Sequence, residues 1–127
     1  MAGTVVIAEE KIGFIHKITF DWLSSAGGAA DGTTTGFYTG VLIRYVEIPD
    51  AAGTQPSSLY DVTVLDDDSI DLLNGLGANM SNTLSSQVMA DGIVVTLGVV
   101  ANAQLTLSVT NAGNAKGGTT ILYLRAA

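Results

Sequence analysis

The sequence predicts an all-β fold: a single-domain β-sandwich or jelly-roll-like barrel of about eight mainly antiparallel strands. Short runs of alternating apolar and polar residues recur along the chain, and turn-forming residues separate them. No segment shows the apolar spacing of an amphipathic helix. The chain has 127 residues, which suits one domain over residues 1–127 with a core that needs no disulfide or metal.

The clearest strand pattern lies near the N-terminus. Thr4–Ala8 is a β-branched run that predicts either an edge strand or, within residues 1–11, an N-terminal arm. Ile12–Leu23 alternates with a period of two, which predicts one continuous strand. Its more apolar face holds Ile12, Phe14, His16, Ile18, Phe20 and Trp22.

A loop and a second long strand follow. Ser24–Gly36 consists of small residues and is predicted to be a loop. Phe37–Ile48 is predicted to be a strand that Pro49 ends, because proline cannot donate to the ladder. One face of this strand carries Val41, Ile43 and Tyr45, and the other face carries Leu42, Val46 and Ile48. Apolar residues on both faces are typical of a central strand, or of one that a partner covers.

The segment Leu59–Gly77 contains two apolar runs and an acidic turn. Tyr60, Val62 and Val64 alternate with polar residues and predict a strand. The three aspartates that follow favour a turn, Ile70–Leu73 predicts a second short strand, and Asn74-Gly75 suits a tight reversal.

The C-terminal part is predicted to alternate between turns and strands. We expect a loop from Ala78 that leads into a short strand at Ser86–Ala90, and then a turn at Asp91-Gly92. A strand at Ile93–Leu97 and a turn at Gly98–Asn102 follow. The last element is a hairpin that pairs Gln104–Thr110 with Thr119–Arg125 across the turn Asn111–Gly118.

Charge and composition exclude several functions. Twelve acids against five bases give a net charge of −7, which argues against binding nucleic acid or an anionic membrane. The chain has no cysteine, so thiol chemistry and thiolate metal sites are excluded. Only 13% of residues are charged and 47% are hydrophobic. Either Ser, Thr and Gly cover the surface, or part of the surface is buried in an assembly.

Three features are candidates for chemistry, and each has a simpler structural explanation. Asp66, Asp68 and Asp71, with Asn74 nearby, offer oxygen ligands to Ca²⁺, although an exposed acidic turn is the commoner outcome and the spacing is not that of an EF-hand. His16 is expected to be a structural histidine within the sheet, and Trp22 a core residue rather than a sugar-stacking platform. We assign no catalytic, cofactor-binding or metal-binding residue and expect that the protein is not an enzyme.

Three stretches of the sequence resemble a family of small tailed-bacteriophage virion proteins. They are KITFDW, then GVLIRYVEIPDAAGTQPSSLYDVTVLDDDSIDLLNGLGANMSN, and LTLSVTNAGNAKGGTTILYLR, which together span about Lys17 to Arg125. The most specific parts are Thr54–Pro56, Tyr60–Asn82 and Val109–Gly117.

The resemblance implies a virion component, and a capsid decoration (cement) protein is the leading hypothesis. Such a protein binds the major capsid protein on the capsid surface, often as a homotrimer, and stabilises the assembled head. The rival hypotheses are a neck, tail or fibre-associated virion protein, and a carbohydrate- or calcium-binding β-sandwich. The segments expected to contact neighbours are Thr4–Lys11 and Ser24–Gly36, because both lack the apolar anchors of the core strands.

Overall fold

The computed structural model describes residues 3–89 and 97–126, and these residues form an antiparallel β-sandwich. The described part contains no helix long and apolar enough to cross a membrane. Its strands are β1 (Thr4–Ile12), β2 (Ile15–Leu23), β3 (Ala30–Thr33), β4 (Tyr38–Pro49), β5 (Asp61–Leu65), β6 (Ser86–Met89), β7 (Val99–Ala103), β8 (Thr106–Thr110) and β9 (Gly117–Ala126).

The strands form two sheets of unequal size, called here sheet A and sheet B. Sheet A has six strands in the order β1-β2-β9-β4-β6, with β7 also paired to β4. Sheet B has three strands in the order β3-β8-β5. One hydrophobic core lies between them, and both sheets contribute to it. Its fully or almost fully buried members include Ile18, Phe20, Trp22, Leu42, Val62, Val64, Leu107, Val109, Leu122 and Leu124.

The N-terminal region differs from the prediction in two places. The predicted strand Ile12–Leu23 is wrong in extent, because a turn at Gly13, with φ of 61°, and Phe14 separates β1 from β2. Of the two alternatives for the N-terminal run, the edge strand is correct, since β1 pairs with β2 over its whole length. The predicted loop Ser24–Gly36 contains β3, which is anchored by the fully buried Ala30.

A bulge in β4 changes which of its residues face the core. Leu42 pairs with Leu124 and Arg44 pairs with the adjacent Tyr123, so Ile43 is one extra residue in β4. The predicted assignment of faces is therefore wrong after this point. Leu42, Tyr45 and Glu47 are buried, whereas Val41 and Ile48 are exposed and Arg44 and Val46 are half-buried.

The segment Leu59–Gly77 is only partly as predicted. Tyr60, Val62 and Val64 are buried, as the alternation indicates. Asn74 and Gly75 both have positive φ angles, which confirms the tight reversal. Ile70–Leu73 is not a strand, because this short run forms a turn that contacts β5 through a single bridge between Leu65 and Asp71.

The C-terminal predictions also needed correction. The short strand after Ala78 is confirmed as β6, whereas Gly98–Asn102 is not a turn, because most of it lies in β7. The predicted turn Asp91-Gly92 lies outside the described residues, as does most of the predicted strand Ile93–Leu97, and Leu97 itself lies in a bend. The final hairpin is wrong: β8 pairs with β3 and β5 in sheet B, while β9 pairs with β2 and β4 in sheet A.

Gly40 is required where β4 bonds to two strands at once. It pairs with Ala126 of β9 and Val100 of β7. Its φ is 151°, and a Cβ atom there would lie 2.1 Å from the carbonyl oxygen of Arg125. We therefore expect Gly40→Ala to lower the free energy of unfolding by about 2–4 kcal/mol.

Urea denaturation monitored by fluorescence of the buried Trp22 measures this loss. The matched control is Gly53→Ala, since a Cβ atom at Gly53 meets nothing within 4 Å. An equal effect of the two substitutions would contradict the assigned role of Gly40.

Candidate interaction surface

The outer face of sheet A is an extended surface with many apolar side chains. The registers align its residues in rows across β1, β2, β9 and β4. Four successive rows are Val6-Asp21-Thr119-Ile48, Ala8-Thr19-Ile121-Val46, Glu10-Lys17-Tyr123-Arg44 and Ile12-Ile15-Arg125-Val41. Apolar residues therefore reach from the edge strand β1 to β4.

Several of these apolar side chains are open to solvent. The exposed fraction is 71% for Val6, 43% for Val41 and 38% for Ile48. Val99 of β7 lies beside Val41 and is 65% exposed, which extends the surface beyond β4. Several exposed apolar side chains on one sheet face make that face a candidate interaction surface.

Tyr123 lies near the centre of this face and is flanked by two cations. The Arg44 guanidinium carbon is 5.0 Å from the centre of the Tyr123 ring, and Lys17 Nζ approaches the ring from the other side of β9 at 5.9 Å. Arg44 Nε also donates a hydrogen bond of 3.0 Å to Gln87 on β6. These contacts fix a basic, aromatic centre within the apolar surroundings.

The outer face of sheet B has the opposite character. Its residues are nearly all small and polar, as expected of a surface in contact with water. They are Asp31, Thr33, Asp61, Thr63, Leu65, Thr106, Ser108 and Thr110. Small polar residues thus cover the outer face of sheet B, whereas the outer face of sheet A combines apolar residues with charged ones.

The bases are concentrated on one side of the protein. Lys17, Arg44 and Arg125, three of the five bases, lie on the outer face of sheet A together with the acids Glu10 and Asp21. The sheet B strands and the turn after β5 contain no base and six of the twelve acids: Asp31, Asp61, Asp66, Asp67, Asp68 and Asp71.

The two segments expected to contact neighbours lie together in the structure. Gly3 N donates to Ala29 O at 3.0 Å, and Val5 packs so closely on Gly32 that a Cβ atom there would lie 2.7 Å from that of Val5. Both segments are anchored to the body of the protein, because β1 pairs with β2 and β3 pairs with β8. Whether they contact a partner stays a prediction.

Glu9 fastens the far end of β1 to the loop before β4. Its carboxylate accepts hydrogen bonds from Thr35 N and Oγ1, from Gly36 N and from the Tyr38 hydroxyl. Partial burial raises the pKa of Glu9, but these four hydrogen bonds outweigh it and hold the pKa below its ordinary value. Burial, together with the adjacent Glu9 carboxylate, raises the pKa of Tyr38.

A pocket of about 390 Å³ lies where these two segments meet. Its walls are Gly3, Thr4, Leu23 and the small residues 24–27. None of the described residues that line it has a charged side chain. Thr4 and Leu23, which contribute to its wall, pair with each other at one end of β1 and β2.

A buried carboxyl group, Glu47, lies between the two sheets and is 1% exposed. Its oxygens accept hydrogen bonds from Thr120 at 2.6 Å, Tyr45 at 3.0 Å and Tyr60 at 3.1 Å. Burial raises the pKa of Glu47 to about 7, although the hydroxyl donors and the nearby Trp22 N–H favour the charged form. The group is enclosed by core side chains, which indicates a structural role.

Trp22 lies in the core, as predicted, and His16 lies in β2, where its structural role stays a prediction. Trp22 is 1% exposed, its ring centre lies 5.5 Å from that of Tyr60, and its Nε1 makes no hydrogen bond of normal geometry to the described residues. It therefore offers no platform for stacking a sugar. His16 is half-buried and packs edge-on against the Tyr38 ring at 5.1 Å.

The acidic turn shapes the backbone after β5. Asp66, Asp67 and Asp68 bring carboxylate oxygens within 4.8 Å of one another. Asp66 Oδ1 accepts from the N–H groups of Asp68 and Ile70. Asp71 accepts from the backbone N–H groups of Val64, Leu73 and Gly75 and does not join the cluster. These bonds account for Asp66 and Asp71 as turn-forming residues, and calcium binding stays an untested hypothesis.

Sequence reasoning missed the arrangement of Lys17, Tyr123 and Arg44. The alternation in the last strand shows that Tyr123 and Arg125 share a face, but not which strands lie beside them. Glu47 was missed because the bulge at Ile43 reverses the facing of β4. The one feature of the sequence that indicates a buried carboxyl group is that Glu47 lies in an apolar strand, two residues after Tyr45.

Comparison with known proteins adds no relative: no family model matches the chain, and no curated protein matches it.

The buried carboxyl group predicts a specific pH dependence of stability. A pKa of about 7 in the folded state, above the ordinary value of 4.5, means that the folded protein binds more protons between these pH values. The stability that Glu47 contributes is thus fully present below about pH 4.5 and falls as pH rises to about 7. Glu47→Gln has no carboxyl group to ionise and therefore lacks this loss. We expect the free energy of unfolding of Glu47→Gln, relative to that of the wild type, to be about 3 kcal/mol higher at pH 8 than at pH 4.

Urea denaturation at a series of pH values measures the gain. Tyr60→Phe is the matched control, because it removes one donor but retains the carboxyl group and the pH dependence. Parallel pH profiles for the wild type and Glu47→Gln would contradict the raised pKa.

Proposed function

We propose that this protein is a structural component of a tailed-bacteriophage virion, and specifically a decoration protein on the capsid surface. The carrying observation is the difference between its two outer faces. Sheet B presents small polar residues and acids, whereas sheet A presents Val6, Val41 and Ile48 around the centre formed by Tyr123, Lys17 and Arg44. This difference favours a protein that lies against other subunits through sheet A.

The proposed partner is the major capsid protein, and the proposed contact surface is the outer face of sheet A. Its exposed aliphatic side chains would be removed from water on binding, which is favourable by about 25 cal/mol for each Å² of apolar surface. The two cations beside Tyr123 suit a partner surface with carboxylates. Repeated copies bind neighbouring subunits of the assembled shell, so the shell is stabilised by mass action.

The sequence resemblance supports the same function independently of the surface. It covers most of β2 and β4 together with β5, β8 and nearly all of β9, which include the central strands of sheet A. Among the rival functions, the carbohydrate hypothesis loses its main support because Trp22 is buried. A neck, tail or fibre station uses the same kind of surface, and copy number separates it: hundreds of copies per particle indicate decoration, and a few dozen or fewer indicate the neck or tail.

The proposal predicts binding to capsids and a gain in their heat resistance. Purified protein is added to expanded capsids of its own phage prepared without it, and bound protein and the temperature of capsid disruption are measured. We expect saturable binding and a higher disruption temperature. Capsids that are equally stable with and without the protein would contradict the decoration function.

A pair of variants tests the proposed contact surface. Ile48→Lys puts an unpaired charge on the outer face of sheet A, and we expect it to weaken capsid binding by about tenfold or more. Thr63→Lys makes the same change in charge on the outer face of sheet B and is expected to bind like the wild type. Equal binding by the two variants would exclude the outer face of sheet A as the contact.

A further inference from the structure

The strand β1 is a long, regular and open edge of sheet A. It pairs with β2 through nine consecutive residues without a bulge, from Thr4 opposite Leu23 to Ile12 opposite Ile15. On its other side, among the described residues, the backbone of β1 makes no hydrogen bond outside this ladder. Such an edge is a template for a further strand.

The other sheet edges of the described part are short. In sheet B, β3 has four residues and includes Asp31, and β5 has five residues and leads into the acidic turn. Beyond β4, sheet A ends in β6 and β7, with four and five residues. Short edges and edge charges are the usual protection against unwanted pairing. β1 contains no proline or glycine and has its charges, Glu9, Glu10 and Lys11, only towards one end.

The sequence of β1 can pair with itself in one full register without placing two like charges directly opposite each other. An antiparallel copy centred on Ala8 pairs all nine residues. It opposes Val6 with Glu10, Ile7 with Glu9, Val5 with Lys11 and Thr4 with Ile12. In this register no two like charges are directly opposite each other. Registers centred on Glu9, on Glu10 or between them would instead place glutamate opposite glutamate. Alanine at the centre is small and exposed, so two copies can approach there.

We propose that β1 pairs antiparallel with β1 of a second copy of this chain, about a two-fold axis at Ala8. This contact joins two six-stranded sheets into one continuous sheet. It gives a dimer in solution, whereas the resemblance to decoration proteins leads to a trimer. This inference rests on β1, the edge strand of sheet A. It goes beyond the proposed function, which rests on the outer face of the same sheet.

Molar mass in solution tests the contact. Size-exclusion chromatography with light scattering is expected to give twice the chain mass of 13.0 kDa for the wild type. Ala8→Lys puts two cations opposite each other at the axis and is expected to give the mass of one chain. The matched control is Thr19→Lys, which lies beside Ala8 in the same row but one strand inside the edge, and it should stay dimeric.

Single cysteines test the register, because the natural chain contains none. Residues directly opposite each other in antiparallel strands have Cβ atoms about 5 Å apart, close enough to oxidise to a disulfide after a small adjustment. Ala8→Cys is therefore expected to form a covalent dimer under mild oxidation. Val6→Cys lies about 14 Å from its own copy in this register and should not. Non-reducing electrophoresis measures both.

The outcomes are distinct from those of the capsid experiment. A dimer that Ala8→Lys dissociates and Ala8→Cys cross-links supports the inference, whatever the capsid result. A monomer at every concentration, a trimer, or a dimer that Ala8→Lys leaves intact overturns it. Circular dichroism of each variant checks that the fold is retained, and failure of Ala8→Lys to fold would leave the cysteine pair to decide.

Discussion

The extra residue in β4 is the constraint on which both sides of sheet A depend. Because Ile43 is bulged between Leu42 and Arg44, the alternation of the strand changes phase there. Glu47 consequently points into the core, where Tyr45, Tyr60 and Thr120 satisfy its oxygens. The same change of phase turns Arg44 outwards onto Tyr123. Without the bulge, the guanidinium group would enter the core and the carboxyl group would leave it.

The prediction from sequence succeeded where a strand's environment is local in the chain. The alternation of Tyr60, Val62 and Val64 places these residues in the core, since β5 is regular and its other side faces water. It failed where pairing is long-range. The turn-rich segment between β8 and β9 predicts a hairpin, but the chain crosses there from sheet B to the centre of sheet A, and adjacency in sequence does not distinguish the two paths.

The candidate surface was less predictable than the fold for a physical reason. Its centre combines Lys17, Arg44 and Tyr123, which come from three strands that are far apart in sequence. Periodicity identifies the face of one strand, but a surface requires the order of strands and their registers. The low charge content of 13% does not locate the surface, because composition does not say that Thr, Ser and Asp cover the outer face of sheet B while apolar and charged residues share the outer face of sheet A.

The edge and the face of sheet A are geometrically linked. Paired residues in an antiparallel ladder project to the same side of the sheet, so the two-fold axis at Ala8 is perpendicular to the sheet. The outer faces of two copies would then point in the same direction and form one surface, with Val6, Ala8 and Ile12 of each chain at its centre. Under the proposed function, a surface doubled in this way would contact two neighbouring sites of the capsid at once, so that weak binding at each site becomes strong binding at the pair.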